Sequence, residues 1–280
     1  MSQIQRGALY VVATPIGHRD DFSPRARAIL GEVDQIAAED TRTSGHLLRD
    51  VGITTPMVSL HEHNETQRVP ALIERLRAGD TVGLISDAGT PLISDPGFEL
   101  VRAARAAQIE VFGVPGPCAA VTALSIAGLP SDQFHFAGFT APRSAARRRQ
   151  FEALVASPAT IIFYASKRQL GDALVDAAKV FGANRPAAIC RELTKMHEQT
   201  HHATLGELCA RWPDLEHRGE WVLLIGGAPD EEVDAGELRR TLSILLEKLS
   251  VRDAAATAAK LLDVPKRDAY AVALTLSEKE

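Results

Sequence analysis

The sequence predicts an α/β protein: two α/β domains in succession, followed by a small helical domain. Three observations carry that expectation. Short runs rich in β-branched residues alternate with amphipathic, Ala- and Leu-rich stretches at the spacing of βαβ units. Gly128-Leu129-Pro130 punctuates the alternation where one domain should end. From residue 237 onward only helical periodicity remains. The 280 residues suffice for two ordinary cores and a small third. The expected domains are residues 1–130, 131–228 and 237–280, with Gly226–Ala235, which contains Gly, Pro and acidic residues, as the last linker.

Each element has a local reason. Leu9–Val12 is the first strand, and Ser23 followed by Pro24 marks a helix start, with Ser as the cap. Gln35–Ala38 reads as a strand, Arg42–Asp50 as a helix and Val58–Leu60 as a third strand. Asn64 and Gln67 have capping-box spacing before a helix that Gly79 stops near Ala78. Thr81–Ser86 is a fourth strand, Asp95 and Pro96 read as the cap and first turn of a helix, Glu110–Val114 is a fifth strand, and Pro117–Ala127 is helical. This half should hold a mostly parallel sheet. The second half repeats the alternation: strands at Phe134–Gly138, Thr160–Tyr164, Ala187–Cys190 and Trp221–Ile225, with helices at Arg143–Ala156 and Lys167–Phe181. Thr204 and Glu207 form another capping box. In the tail, Ser250 and Asp253 cap Ala254–Leu262 and Pro265 opens a further helix, so about three helices are expected.

Composition excludes several classes. With 45% hydrophobic and 24% charged residues the chain is not collagen-like, a coiled coil or wholly disordered. No apolar run reaches the ~18 residues of a membrane span. No secretory signal is legible at the N-terminus. Cys118, Cys190 and Cys209 are too few and scattered for a disulfide framework, so a reducing cytoplasm is the expected setting. The net charge of −5 argues against a globally basic nucleic-acid binder. It leaves room for a local patch, and Arg143–Arg149 holds four arginines and no acids.

In an open parallel sheet, ligands bind beyond the carboxyl ends of the strands. The segments there are Ala13–Gly17, Ala38–Arg42, His61–Asn64, Asp87–Gly97 and Pro115–Cys118, with Ala165–Arg168 and Arg191–Glu198 in the second half. Ser86–Gly97 stands out: two Gly, two Pro and two Asp between a buried strand and a helix allow close backbone approach to a ligand. The dinucleotide fingerprint, the P-loop and the nucleophile elbow are all missing. His61 and His63 lack a third metal ligand at useful spacing, and no metal is expected. Cys118 has no base beside it in sequence and reads as a small packing residue.

ATPIG, AAEDTR, HEHNE, SDAGTPLISDPG, VPGPCAA, GLPSDQFHFAGF, IIFYASKR and RELTKMHE follow one another along the chain. In order and spacing they resemble the ribosomal RNA small subunit methyltransferase I family of the tetrapyrrole methylase superfamily. The likeness runs from residue 8 to about 276, and the C-terminal helices resemble that family's helix-turn-helix-like domain. Two places depart from the family pattern: Cys118 stands where Ser is common, and Ala165-Ser166-Lys167-Arg168 where Glu-Ser-Pro-His is common.

The resemblance implies two α/β domains with S-adenosylmethionine in the cleft between them. It implies a homodimer that methylates a cytidine ribose 2′-hydroxyl in the decoding region of 16S ribosomal RNA in the small subunit, away from membranes. Cofactor contacts then fall to Ser86, Asp87, Ala88, Gly89, Thr90, Ile93, Pro115, Gly116 and Cys118 on one side, and to Tyr164, Leu193 and His197 on the other. In-line displacement needs a held hydroxyl and a group that stabilises the developing alkoxide. Lys195 or Arg191 is the expected charge stabiliser and Glu39 or Glu192 the orienter. RNA contacts are expected from Thr14, Pro15, Asp40, Arg42, His61, His63 and Asn64, from Arg143, Arg147, Arg148 and Arg149, and from Lys266 and Arg267. A methyltransferase acting on a small tetrapyrrole is the alternative, and a pure binding module is a third.

Overall fold

The computed structural model describes residues 4–229, 235–262 and 264–277. The chain divides into two compact units, Met1–Ala228 and Pro229–Glu280. Among the described residues no helix is long and apolar enough to cross a membrane.

The first unit opens with β1 (Leu9–Val12), α1 (Pro24–Glu32), β2 (Gln35–Ala38), α2 (Thr41–Asp50) and β3 (Met57–Ser59). It continues with α3 (Glu65–Arg77), β4 (Val82–Ile85), α4 (Phe98–Ala106), β5 (Val111–Val114) and α5 (Ala119–Ile126). The strands form one all-parallel sheet in the order β3-β2-β4-β1-β5. All four residues of β4 are buried, as a strand covered on both faces requires. β1 and β4 are neighbours, yet their chains leave towards opposite edges of the sheet. Such a switch point opens a crevice at the carboxyl ends of the strands.

Two capping expectations need correction. Asn64 does precede α3, but its side chain makes no cap bond; its Oδ1 accepts the His61 amide (2.9 Å) and its Nδ2 donates to Ser59 O (3.2 Å). Asp95 and Pro96 lie before α4, not in it, because Gly97 takes a left-handed φ of +117° and the helix starts at Phe98. The cap there is remote in sequence: the buried Glu65 carboxylate accepts the amides of Gly97 (3.2 Å), Glu99 (2.9 Å) and Leu100 (3.3 Å). A carboxylate among orphan N–H groups at a helix N-terminus is favourable on both hydrogen-bond and dipole grounds.

The rest of the unit comprises β6 (Phe134–Phe139), α6 (Ser144–Glu152), β7 (Thr160–Ser166), α7 (Leu170–Phe181), β8 (Pro186–Arg191), β9 (Gln199–Thr204), α8 (Leu205–Arg211) and β10 (Glu220–Ile225). The order is β6-β7-β10-β8-β9, parallel only between β6 and β7. β9 escapes sequence reading because QTHHAT pairs only with β8 at the sheet edge and so carries no apolar alternation. The Thr204–Glu207 capping box is present with both of its bonds. Phe151, Phe163, Phe181 and Trp221 fill the core between this sheet and its helices.

The arginine run on α6 is also corrected in part. Arg147 is 1% exposed and makes two bonds to Asp176 of α7, from Nε (2.9 Å) and Nη2 (2.7 Å). Its Nη1 donates to Ala141 O (3.0 Å) and Pro142 O (3.3 Å). With its donors committed inside the fold it cannot hold an RNA phosphate. Arg143, Arg148 and Arg149 remain exposed.

The second unit contains α9 (Ala235–Leu246), α10 (Val251–Leu261) and α11 (Lys266–Ser277) around Leu238, Leu242, Ala254, Ala258, Ala269 and Ala273. Ser250 caps α10 by accepting the Asp253 amide (3.2 Å). Lys266 and Arg267 are exposed in the first turn of α11. The central part of the Gly226–Ala235 linker, residues 230–234, lies outside the described residues.

Breaking a buried ion pair strands a charge. Arg147→Ala is therefore expected to lower stability by about 3–5 kcal/mol, and Arg149→Gln by less than about 0.5 kcal/mol. Urea unfolding of the two variants checks the contrast.

Candidate active site

The site is assembled where β1 and β4 end. Thr14, just past β1, forms a two-bond backbone bridge with Gly89: Thr14 N donates to Gly89 O (2.8 Å) and Gly89 N to Thr14 O (3.1 Å). The Thr14 hydroxyl donates to Ser86 O (3.3 Å). Gly89 sits at φ +84°, and a Cβ there would lie 3.2 Å from Ile16 Cγ2 and 3.6 Å from Pro117 O. Thr90 Oγ1 donates to that same Pro117 carbonyl (2.9 Å). Three strand-end loops are thereby tied together.

The loop after β1 then reaches the second sheet. His18 N donates to Thr194 Oγ1 (2.9 Å), and Gly17 lies where any Cβ would strike Lys195 Cγ at 2.5 Å. The result is a cleft of about 650 Å³ walled by both halves of the first unit. From the first half come Ile16, Glu39, Asp87, Ala88, Gly89, Thr90, Ile93, Ser94, Asp95, Cys118 and Ala119. The second half supplies Phe139, Tyr164–Lys167, Glu192, Leu193, Lys195 and Gly219–Val222.

Backbone strain marks both walls. Five described non-glycine residues have positive φ, and four of them flank the cleft: Leu92 (73°) and Ser94 (68°) around Ile93, Glu192 (49°) and Thr194 (62°) around Leu193. Such conformations cost roughly 1–3 kcal/mol each and gather at ligand sites. Here each pair brackets an apolar residue that lines the cleft.

One wall is acidic. Asp87 N donates to Glu39 Oε2 (3.4 Å), and Asp40 N donates to Asp87 Oδ1 (3.1 Å). Burial raises the Glu39 and Asp87 carboxyls above the usual carboxylate range. Asp95 is pushed up to about 6 by burial, against a hydrogen bond from Ser86 and with help from the charges of Glu39 and Asp87. Asp40 is held at about 2 by its bonds to Arg42.

The other wall carries a cation. Lys195 Nζ donates to Glu192 Oε1 (3.0 Å) and Glu220 Oε2 (2.9 Å). Burial works against its charge, but those two bonds outweigh it and raise its pKa. Gly219 makes the arrangement possible, since a Cβ there would lie 2.5 Å from Glu192 Cγ. Tyr164 donates no cap but receives the Ala120 amide on its hydroxyl (3.2 Å), and burial beside Cys118 raises its pKa.

The structure thus brings Glu39, Asp87, Ala88, Gly89, Thr90, Ile93, Cys118, Tyr164, Glu192, Leu193 and Lys195 to one cleft. It excludes Arg191, whose Nε donates to Arg218 O (2.6 Å) and Nη1 to Gln199 Oε1 (3.3 Å) while the guanidinium packs on Trp221. Ser86 is buried behind the wall, and Pro115, Gly116 and His197 are exposed away from the lining. Thr14 and Pro15 are buried and cannot present themselves to RNA. His61, His63 and Asn64 form a turn outside the cleft. Arg42 instead borders a second hollow of about 470 Å³ with His46 and Arg49. Among the described residues no cluster of three His, Cys, Asp or Glu could hold a metal.

Sequence reasoning missed Asp95, Phe139 and Glu220 as lining residues. Asp95 and Phe139 each had a signal: Asp95 stands inside SDAGTPLISDPG, where it read as a helix cap, and Phe139 closes GLPSDQFHFAGF, where it lay just past the expected strand Phe134–Gly138.

Comparison with known proteins accords with this geometry. The family of tetrapyrrole (corrin/porphyrin) methylases matches residues 8–209, and the RsmI C-terminal HTH domain matches residues 232–277. Ribosomal RNA small subunit methyltransferase I of Escherichia coli O157:H7 is 47% identical over 96% of this chain and 95% of that protein. Its Pseudomonas aeruginosa counterpart is 48% identical over 96% and 97%. The chain belongs to the ribosomal RNA small subunit methyltransferase I family. Among solved structures, diphthine synthase aligns with a TM-score of 0.62 at 14% identity, over 78% of this chain and 90% of its own. A uroporphyrin-III C-methyltransferase from Thermus thermophilus aligns at 0.56 and 21%, over 79% and 94%. Those two likenesses show the methylase fold alone.

A testable consequence follows from Asp95. Its pKa is higher in the folded chain than the ordinary 3.8, so its contribution to stability is present below about pH 4 and lost as pH rises through 6. Asp95→Asn removes the buried charge and should raise the melting temperature at pH 8, with the gain shrinking towards pH 4. Calorimetric scans at both pH values read the difference.

Proposed function

We propose that this member of the ribosomal RNA small subunit methyltransferase I family transfers the methyl group of S-adenosylmethionine to a cytidine ribose 2′-hydroxyl in the decoding region of 16S ribosomal RNA. The observation that carries the reading is the cleft itself: glycine-lined and acidic on one wall, with a paired lysine on the other.

The residues present fit that cofactor. Gly89 takes a left-handed φ of +84° with no side chain, in a space that Ile16 and Pro117 leave tight for a Cβ, so the backbone of the Ala88–Thr90 loop itself forms the cleft wall. Glu39, Asp87 and Asp95 suit a ligand that carries a sulfonium and an ammonium charge. Ile16, Ile93, Cys118 and Leu193 supply apolar surface. When bound, the cofactor supplies an activated methyl carbon.

This chain's own residues do the remainder. Lys195 stays protonated at neutral pH, so it serves as charge stabiliser for the developing alkoxide and not as a base. Glu192 and Glu220 hold its ammonium group in place. Glu39, with its raised pKa, is the candidate to accept a hydrogen bond from the hydroxyl and orient it. Arg143, Arg148 and Arg149, with Arg42 near the second hollow and Lys266 and Arg267 on the helical unit, are the candidates for RNA phosphates. The homodimer implied by the sequence resemblance and the cytoplasmic setting expected from the few, scattered cysteines complete the proposal.

Labelled S-adenosylmethionine with small ribosomal subunits, or with tetrapyrrole precursors, tests the reading; label should enter the RNA alone. Gly89→Val should lower cofactor affinity at least a hundredfold with the fold intact, measured by calorimetry. Replacing Arg143, Arg148 and Arg149 by Gln should flatten the salt dependence of RNA affinity and spare cofactor binding. An unchanged slope returns these side chains to a solvated helix face.

A further inference from the structure

Phe139 lines the cleft with 57% of its surface in water, whereas Trp221 in the same lining is 2% exposed. A half-exposed phenylalanine is ordinary by itself. What is unusual is how much structure holds it there. β6 runs parallel to β7 in regular register from Phe134 to Phe136, opposite Thr160 to Ile162. The next paired residue is Phe139, opposite Tyr164, so three steps of β6 cover two of β7. Bulges of this kind are rare between parallel strands and re-aim side chains near active sites. Gly138 takes φ +69° within it.

In a regular strand, residues three apart face opposite sides. The extra residue puts Phe136 and Phe139 on the same side, where both rings meet Tyr164 edge-on at 4.9 and 5.5 Å. Gln150 of α6 clamps the bulge. Its Nε2 donates to Phe139 O (3.1 Å) and Ala137 O (3.4 Å), and its Oε1 accepts the Ala141 amide (3.0 Å).

We infer that Phe139 is the platform on which the base of the target nucleotide stacks while its ribose enters the cleft. The inference rests on the RNA-methylation reading above. A ribose inside folded RNA reaches such a cleft only when its nucleotide is splayed out, and the unstacked base then needs a replacement aromatic face. Phe139 provides one at the mouth without any hydrogen-bonding group, so it positions a base without reading its identity.

The test uses the full chain, labelled S-adenosylmethionine and small ribosomal subunits that lack the modification. Phe139→Leu keeps apolar bulk but removes the π face. It should lower kcat/KM for the subunits about ten- to hundredfold, with cofactor affinity and melting temperature near wild type. Phe139→Trp should recover activity to within a few-fold. Gln150→Leu frees the bulge and should also lose activity towards subunits while binding cofactor normally. Full activity in Phe139→Leu overturns the platform, as does a Trp variant no better than the Leu variant. A parallel fall in cofactor affinity assigns the ring to the cofactor instead and equally overturns it. If the wild-type chain itself fails to methylate the subunits, the RNA reading is at fault and the platform falls with it.

Discussion

The site depends on one backbone contact, the bridge between Thr14 and Gly89. Its two hydrogen bonds, 2.8 and 3.1 Å, lock the chain leaving β1 to the loop leaving β4. Every other wall is placed from there. Thr90, the next residue after Gly89, donates its hydroxyl to the Pro117 carbonyl, so the β5 loop is held in turn. Three residues beyond Thr14, Gly17 lies against Lys195, and the next amide binds Thr194. A single pair of peptide groups at the switch point of the parallel sheet therefore registers both halves of the cleft. Backbone bonds suit this task because they fix position without a side chain filling the space a ligand needs.

Charge and strain are distributed with the same economy. The first half contributes three carboxylates, two raised by burial and one lifted to about 6; the second contributes a lysine kept charged by two glutamates. Left-handed backbone at Leu92, Ser94, Glu192 and Thr194 adds cost on both walls. Such positions persist only when their surroundings over-determine them, and the Glu192 case shows how. Its amide donates to Glu220 O (2.9 Å), its carboxylate accepts the Glu220 amide (2.9 Å), and Gly219 leaves room for its side chain.

Arg147 shows why a run of like charges is ambiguous. The four arginines between residues 143 and 149 look alike in sequence. On a helix, however, they point in different directions: Arg147 is buried against Asp176 of α7, while Arg148 reaches the same carboxylate only at 3.9 Å from a half-exposed position. Arg143, Arg148 and Arg149 are exposed and remain the candidates for phosphate contact. The same logic separates Lys195, which faces the cleft, from Arg191, which packs on Trp221.

The order of strands and helices apart from β9, the parallel first sheet, the three-helix tail and most of the loops that line the cleft were legible in sequence. So were the caps at Ser23, Thr204 and Ser250, each made to an amide three residues on. These features rest on periodicity and on bonds between residues a few positions apart, which a linear string displays. What only the tertiary structure decided lies at longer range. Glu65 caps a helix 32 residues ahead, and Arg147 pairs with a residue 29 positions away. β9 exists only because β8 offers it a partner, and the bulge that turns Phe139 to the cleft exists only against β7. Which residue of a motif faces the ligand is set by the partner it packs against, and packing partners are not written next to one another in the chain.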